Sequence, residues 1–234
     1  MDIPEDLDAL ARRADPDRWL AARFIADAQA RADVMVIYAL DQELAHAPRA
    51  VREPMMGEIR LTWWREAIEG LFAGVGARGH PTLTALADVI VRRRLAIEPL
   101  LAMVEARFDD IGEPAFGDLA AVRAYADRVS GASMALALAI LGQGEASGLR
   151  PAALAWTLAR LTGQGGARLA DVAGAKVEGL KALSEARAAI AALPVAAFPA
   201  AAHLCLAGPY LKGRAPGDLE TRARLFMASL TGRV

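Results

Sequence analysis

Side chains that could share a metal ion or a catalytic step are scattered in this chain. Asp41 and Glu43 lie two residues apart and would point to different faces of a helix. Asp109 and Asp110 are adjacent at the end of a helical pattern, which is typical of solvated surface. The three histidines show no metal-ligand spacing, and no G-x-S-x-G, P-loop or dinucleotide-binding motif is present. These patterns predict no catalytic residue, no metal site and no cofactor.

The composition narrows the classes of function. The net charge of −1 gives no indication of a nucleic-acid partner. The single cysteine, Cys205, fits a reducing cytoplasm and an apolar core position. The N-terminal MDIPEDLDAL lacks the apolar core of a signal peptide. The most apolar stretch, Ala188 to Gly208, is interrupted by Pro194, Pro199 and His203, so it predicts two short buried helices and no membrane span.

Helical periodicity covers the chain, and Pro54 to Gly70 is its clearest segment. One apolar seam contains Ile59, Trp63 and Ala67, and the other contains Leu61, Trp64, Ile68 and Leu71. We therefore expect this helix to pack on several sides with both Trp rings largely buried. No alternating β-branched run is present, which predicts one all-α domain over residues 1–234. The other predicted elements are a short helix or loose arm at Met1 to Asp15, a helix from Asp15 to His46 that is broken or bent near Asp27 to Ala30, and helices at Thr82 to Arg94, Ile97 to Asp110, Asp118 to Gly142, Arg150 to Thr162, Val177 to Leu193, Val195 to Leu211 and Leu219 to Leu230.

Four segments carry a resemblance to a known family. They read ALDQELAHAPRAVREPM, WWREAIEG, GHPTLTALADVIVRRRLAIEPLLAMVEARFDDI and AVRAYADRVSGASM. Between residues 17 and 142 the chain resembles the squalene/phytoene synthases, which are all-helical head-to-head prenyltransferases. It is most similar to a divergent branch that includes mitochondrial respiratory complex I assembly factors. The resemblance implies a helical bundle of the isoprenoid-synthase type with a central cavity lined by Trp19, Tyr38 and Tyr125, unless alanine-rich helices have closed over it.

The resemblance also implies two aspartate-rich motifs that hold Mg²⁺ against a prenyl diphosphate. The first should follow Tyr38, but Ala45 and Arg49 stand seven and eleven residues beyond it, where acids are needed. The second should lie within Arg160 to Lys176, where Asp171 is the only acid. Both motifs are therefore degenerate, and the sequence predicts that metal-assisted ionisation of a diphosphate is lost.

Asp41 is the polar residue whose environment is hardest to predict. It falls on the face that Val34 and Tyr38 share, and a lone buried carboxylate is costly unless it is paired. One interpretation is an ion pair with Arg60 or Arg65. The other is a polar group at the mouth of the cavity that the resemblance implies. The candidate ligand-binding residues are Trp19, Tyr38, Asp41, Arg60 and Tyr125.

Two functions stay open on this evidence. The degenerate motifs favour a non-catalytic protein that binds an isoprenoid, a lipid or a protein partner, in the assembly of a respiratory complex. The alternative is a Mg-dependent prenyltransferase that condenses prenyl diphosphates in isoprenoid biosynthesis. The run Arg92 to Arg94 is either a solvated helix end or a contact for phosphate or acidic lipid. We expect a cytoplasmic location, with peripheral contact to the inner membrane as an open alternative.

Overall fold

A computed structural model describes residues 5–234 except 52, 78, 114, 145–147 and 164, and it leaves the side chains of residues 5 and 6 undescribed. None of the described residues lies in a β-strand, so the all-α prediction is confirmed. Within Met1 to Asp15, predicted as a short helix or a loose arm, Glu5–Ala14 forms a helix and residues 1–4 lie outside the described part. The α-helices are α1 (Glu5–Ala14), α2 (Pro16–Ala22), α3 (Ala28–His46), α4 (Pro54–Phe72), α5 (Pro81–Arg93), α6 (Ile97–Phe108), α7 (Leu119–Ala126), α8 (Ala132–Ile140), α9 (Arg150–Gly163), α10 (Val172–Ala191), α11 (Ala207–Leu211) and α12 (Asp218–Thr231).

Capping residues and prolines determine where several helices begin. The Asp27 carboxylate accepts a hydrogen bond from the Ala30 amide at 2.7 Å, which starts α3 and separates it from α2. Of the two alternatives predicted near this position, a break or a bend, the structure shows a break. Asp118 caps α7 in the same way, accepting from the Ala121 amide at 2.8 Å. Pro54 begins α4, where a missing amide hydrogen leaves no intrahelical bond unmade.

Helix α3 lies at the centre of the molecule. It is buried at almost every position from Ala32 to Asp41, and it packs against α1, α2, α5, α6 and α8. The buried apolar side chains form one continuous cluster from Leu7 in α1 to Ala228 in α12. This continuity supports the single domain that we propose for the chain.

A π-helical turn joins α7 to α8 within the long helix predicted from Asp118. The turn spans Asp127–Gly131 and adds one residue to the helical turn. Ser130 of this turn forms a hydrogen bond with α9, because its hydroxyl oxygen lies 2.7 Å from that of Thr157. The turn therefore changes which side chains of this helix face α9.

Two predictions are wrong, one about secondary structure and one about helix packing. The segment predicted as a helix from Val195 to Leu211 forms two 3₁₀ turns, Phe198–Ala200 and Ala202–Leu206, followed by the single turn α11, because Pro199 interrupts the hydrogen-bond ladder. Helix α4 packs mainly against α6 and not on several sides, because Met55, Met56 and Ile59 are exposed. Both Trp rings lie against the core as predicted: Trp64 is buried, and Trp63 is partly buried. No helix among the described residues is both long and apolar enough to cross a membrane.

Candidate functional site

A polar pocket of ≈ 130 Å³ opens between α2, α3, the π turn and α9. The described residues around it include five arginines and two aspartates. The pocket therefore offers many hydrogen-bond donors and few acceptors. Its lining consists of Ala14, Asp15, Arg18, Asp41, Gln42, Ala45, Arg49, Arg107, Tyr125, Val129, Ser130, Trp156, Thr157, Arg160, Leu161 and Arg168.

Asp41 projects from the central helix between two guanidinium groups. Its Oδ2 accepts a hydrogen bond from Arg18 Nη2 at 2.6 Å, and its Oδ1 accepts one from Arg107 Nη2 at 2.6 Å. Arg18 also donates from Nε to Asp15 at 2.7 Å, and its guanidinium lies 4.8 Å from the centre of the Tyr38 ring. Both aspartates of the pocket are thus engaged by the same arginine.

Asp110 forms the second centre of charge, directly behind the pocket wall. It accepts hydrogen bonds from Arg107 Nη1 at 3.0 Å, Arg168 Nη1 at 2.5 Å and the Tyr125 hydroxyl at 3.1 Å. Its side chain has 0% of its surface exposed. Arg107 therefore bridges the two buried carboxylates, Asp41 and Asp110, and links α3 to α6. We call Arg18, Asp41, Arg107, Asp110, Tyr125 and Arg168 the arginine–aspartate cluster.

Two arginines lie nearer to solvent at the edge of the pocket. Arg160 of α9 has 34% of its side chain exposed and lies 3.9 Å from Asp17, the outer limit of an ion pair. Arg49 has 42% exposed and donates to Glu113 at 3.0 Å. These side chains can change partners at less cost than the buried cluster, because solvent already reaches them.

Burial and neighbouring charge act in opposite directions on the titratable groups. Burial raises the pKa of Asp41, but the positive charges of Arg18 and Arg107 outweigh it and hold the pKa below its ordinary value. The pKa of Asp15 is lowered in the same way, against its burial, by Arg18 and Arg160. Burial raises the pKa of the Tyr125 hydroxyl to about 12, so it stays protonated at neutral pH. The carboxylates of Asp41 and Asp15 are therefore ionised hydrogen-bond acceptors, and the Tyr125 hydroxyl is a donor.

The donor set does not fit a magnesium ion. Mg²⁺ needs several oxygen ligands, whereas the oxygens of Asp41 accept from the guanidinium groups of Arg18 and Arg107, and those of Asp15 accept from the backbone amide and Nε of Arg18. Ala45 and Arg49, at the positions where the resemblance requires acids, both line the pocket. Across the described part of the chain, no three His, Cys, Asp or Glu side chains are grouped to hold a metal. Guanidinium donors suit an anion such as phosphate or carboxylate instead.

Comparison with known proteins identifies the family to which the chain belongs. The model of the squalene/phytoene synthase family matches residues 11–164. The chain belongs to the squalene/phytoene synthase family. The match is wider than the predicted extent of 17 to 142, and it includes the α9 wall of the pocket.

The chain is also similar to curated proteins and to a solved structure. It is 24% identical over 133 residues to "NADH dehydrogenase (ubiquinone) complex I, assembly factor 6" of Homo sapiens, and equally similar to the protein of that name from Rattus norvegicus. These matches cover 57% of this chain and 39% of the relatives' length. The crystal structure of squalene synthase HpnC from Alicyclobacillus acidocaldarius superimposes with a TM-score of 0.68 at 17% identity, covering 97% of this chain and 93% of that one. This likeness shows the family fold.

The structure brings some of the candidate ligand-binding residues together and separates others. Asp41 and Tyr125 line the pocket, and Tyr38 lies beneath Arg18. Trp19 lies outside the pocket, where its Nε1 donates to Asp8 at 3.0 Å. Arg60 is exposed on α4 and lines a separate groove of ≈ 360 Å³.

Two expectations about the acids need correction. Asp41 pairs with Arg18 and Arg107, not with Arg60 or Arg65, because α2 and α6 approach α3 at this level and α4 does not. Asp110 is buried, whereas the sequence pattern indicated solvated surface.

Asp171, the only acid of the segment Arg160 to Lys176, lies between two helices. Helix α9 ends at Gly163, close to the predicted end at Thr162, and α10 begins at Val172 with Asp171 as its cap. Asp171 does not line the pocket.

The arginines of the cluster were missed by reasoning from the sequence. One signal was available: Arg107 continues the spacing of the apolar stripe formed by the buried residues Leu100, Met103 and Val104 of α6. A charged residue on such a stripe needs a buried partner. Arg18 and Arg168 gave no comparable signal, because the first follows a helix cap and the second lies in a loop.

Proposed function

We propose that this chain is a non-catalytic member of its family that acts by binding. The observation that carries the proposal is the lining of the pocket, where Ala45 and Arg49 stand in the place of metal-binding acids. The ligand we propose is an isoprenoid or lipid with an anionic head group, held directly by guanidinium groups without a metal. Asp41 would serve to position Arg18 and Arg107.

The size of the pocket favours binding over condensation. At ≈ 130 Å³ it is smaller than the roughly 300–1,000 Å³ typical of sites that enclose a drug-sized ligand. A phosphate or diphosphate group fits such a volume, whereas two prenyl chains placed for condensation do not. An apolar tail would have to leave the pocket and lie elsewhere on the protein or in a membrane.

A protein partner is the second part of the proposal. The curated relatives are named as assembly factors of complex I, and the shared region covers more than half of this chain. We infer a role in assembling a respiratory complex. Deleting the gene in its source cells should then lower the amount of assembled NADH dehydrogenase on native gels, and an unchanged amount would argue against this role. The expected cytoplasmic or peripheral inner-membrane location stays a prediction.

Calorimetric titration with inorganic pyrophosphate tests the pocket. We expect binding that needs no added magnesium and that weakens by about tenfold in Arg160→Gln, because one charged hydrogen bond is worth roughly 1.5–3 kcal/mol. Arg160 is suited to this test because it lies outside the buried cluster. The matched control is Arg150→Gln on the same helix, whose side chain is 87% exposed and lies outside the pocket lining.

The same protein given farnesyl diphosphate and magnesium separates the two functions. We expect no release of pyrophosphate above background. Magnesium-dependent release would overturn the non-catalytic proposal and support the prenyltransferase alternative. Binding of pyrophosphate that appears only with magnesium would refute direct recognition by arginine.

A further inference from the structure

The C-terminal helix α12 has apolar side chains on two opposite faces. Thr221, Leu225 and Ala228 form the buried face, which packs against the Ala202–Leu206 turn and α2. Leu219, Phe226 and Leu230 point the other way, with 83%, 56% and 69% of their surfaces exposed. Because successive residues are rotated by about 100° around the helix axis, these three side chains lie within about 40° of one another around that axis. We call them, with the neighbouring Met227 at 52% exposed, the outer stripe.

Beyond the first turn of α12, charge around the outer stripe has one sign. From residue 221 to residue 234 the sequence contains three arginines and no aspartate or glutamate. Arg222 is exposed one turn from Phe226, and Arg233 is exposed just beyond the end of the helix. The first turn carries two acids: Asp218 is exposed beside Leu219, and Glu220 is engaged by Arg214 and Arg224. The part of the stripe from Phe226 to Leu230 is therefore apolar and flanked by exposed positive charge.

We propose that the outer stripe docks on a membrane surface that contains anionic lipids. Exposed leucine and phenylalanine beside arginine is the pattern of a helix that lies in the plane of a membrane interface. The apolar side chains would enter the boundary of head groups and acyl chains, while Arg222 and Arg233 contact lipid phosphates. The buried face of α12 would hold the rest of the protein against the membrane. This inference does not depend on what the pocket binds.

Two other surfaces are less suited to the same role. The run Arg92 to Arg94 is not a free basic patch, because Arg92 and Arg93 each donate to buried Asp33 at 2.6 Å. Helix α4 exposes Met56 and Ile59, but the exposed Glu66 shares the face of Ile59 two turns further along and would be repelled by anionic lipid.

A second copy of the chain is a poorer occupant than a membrane. Pairing two outer stripes would bring four exposed arginines, Arg222 and Arg233 of each copy, against two exposed aspartates, Asp218 of each copy, and would leave an excess of positive charge. An anionic lipid surface supplies the opposite charge along the whole stripe. The charge pattern therefore selects lipid as the occupant.

Co-sedimentation of the whole protein with vesicles tests the proposal. We expect partitioning into phosphatidylcholine mixed with phosphatidylglycerol that is at least about tenfold stronger than into phosphatidylcholine alone. The double variant Phe226→Ser, Leu230→Ser should lose at least about tenfold of this partitioning. Arg222→Gln should lose about fivefold at low salt and little at high salt, because salt screens its charge.

The matched control is Val91→Ser, which removes an apolar side chain that is 81% exposed on α5. We expect it to partition as wild type does, and all variants should keep the wild-type melting temperature because the changed residues are exposed. Equal partitioning of wild type into both vesicle types, or of the double variant and wild type into anionic vesicles, would overturn the proposal. A dimer in sedimentation velocity that the double variant loses would also overturn it and assign a second copy to the stripe.

Discussion

Asp109 and Asp110 are neighbours in the sequence, but they lie in opposite environments. The Asp109 side chain is 43% exposed and pairs with the partly exposed Arg128. The Asp110 side chain is fully enclosed and accepts from two arginines and a tyrosine. Helix α6 ends at Phe108, so its last turn directs the second carboxylate inward and the first toward solvent.

This contrast leads to a prediction about stability. Asp110→Asn keeps the shape of the side chain but leaves Arg107 and Arg168 buried with one negative charge fewer. Removing one partner of a buried ion pair typically costs about 3–5 kcal/mol in the free energy of unfolding. Asp109→Asn is the matched control and should cost less than about 1 kcal/mol, as surface pairs do. Urea unfolding of both variants measures the difference, and equal midpoints would show that Asp110 is not buried.

The contacts of the arginine–aspartate cluster could not be predicted from the sequence. Periodicity placed Asp41 on an inward face correctly, and it indicated that this carboxylate needs a partner. The partners Arg18 and Arg107 lie 23 and 66 residues away along the chain. Which of many arginines reaches a buried acid depends on how the helices pack, and local pattern carries no information about that.

At the scale of helices, local rules predicted most of the elements. Prolines and capping aspartates gave the starts of α4, α5 and α7, and these agree with the structure. The rules failed where composition was apolar throughout, as from Ala188 to Gly208, because alanine-rich sequence shows no periodicity to separate helix from 3₁₀ turn. They also placed Ile59 in a buried seam, although it is 54% exposed. The apolar type of a helical residue does not show that another element packs against that position.

The close approach of α9, α10 and α11 depends on Gly179. A Cβ atom there would lie 2.5 Å from Leu211 Cδ2 and 3.3 Å from Leu158 Cβ. Gly179→Ala should gain up to about 1 kcal/mol of helix propensity, but overpacking costs about 1–3 kcal/mol. We therefore expect a net loss of about 1 kcal/mol in the free energy of unfolding.

Gly70→Ala provides the control for this prediction. Gly70 lies within α4, and an added Cβ would meet Val75 at an ordinary 3.6 Å. With propensity acting alone, the variant should be more stable than wild type by about 0.5–1 kcal/mol. Thermal unfolding of the two variants side by side gives the comparison, and a stabilised Gly179→Ala would mean that the three helices are more loosely packed than the distances indicate.

Across the whole molecule, buried charge ties together elements that are distant in the chain. Arg18 follows a helix cap near the N-terminus, Arg107 lies in the last turn of α6, and Arg168 lies between α9 and α10. Their shared carboxylates, Asp41 and Asp110, make the fold depend on ionised groups at its centre. The low pKa of Asp41 contributes stability that is present above its unfolded value near 4 and is lost as the pH falls further.

His203 gives the molecule a second, separate dependence on pH. It is buried against the Trp156 ring at 4.6 Å, and burial, followed by the positive charge of Arg18, lowers its pKa to about 3. The unfolded chain binds a proton near pH 6.5, whereas the folded protein does so only near 3. Stability is therefore complete above about pH 6.5 and falls by about 1.4 kcal/mol per unit below it.

Urea unfolding at pH 7.5 and pH 5 tests this dependence above the range where the aspartates titrate. Wild type should lose about 2 kcal/mol between the two values because of His203. His203→Phe keeps an aromatic ring against Trp156 and has no proton to gain, so its stability should change little between them. His46→Gln, at an exposed histidine, should behave as wild type does. If His203→Phe loses as much stability as wild type, then His203 is charged in the folded protein and the core around Trp156 admits water.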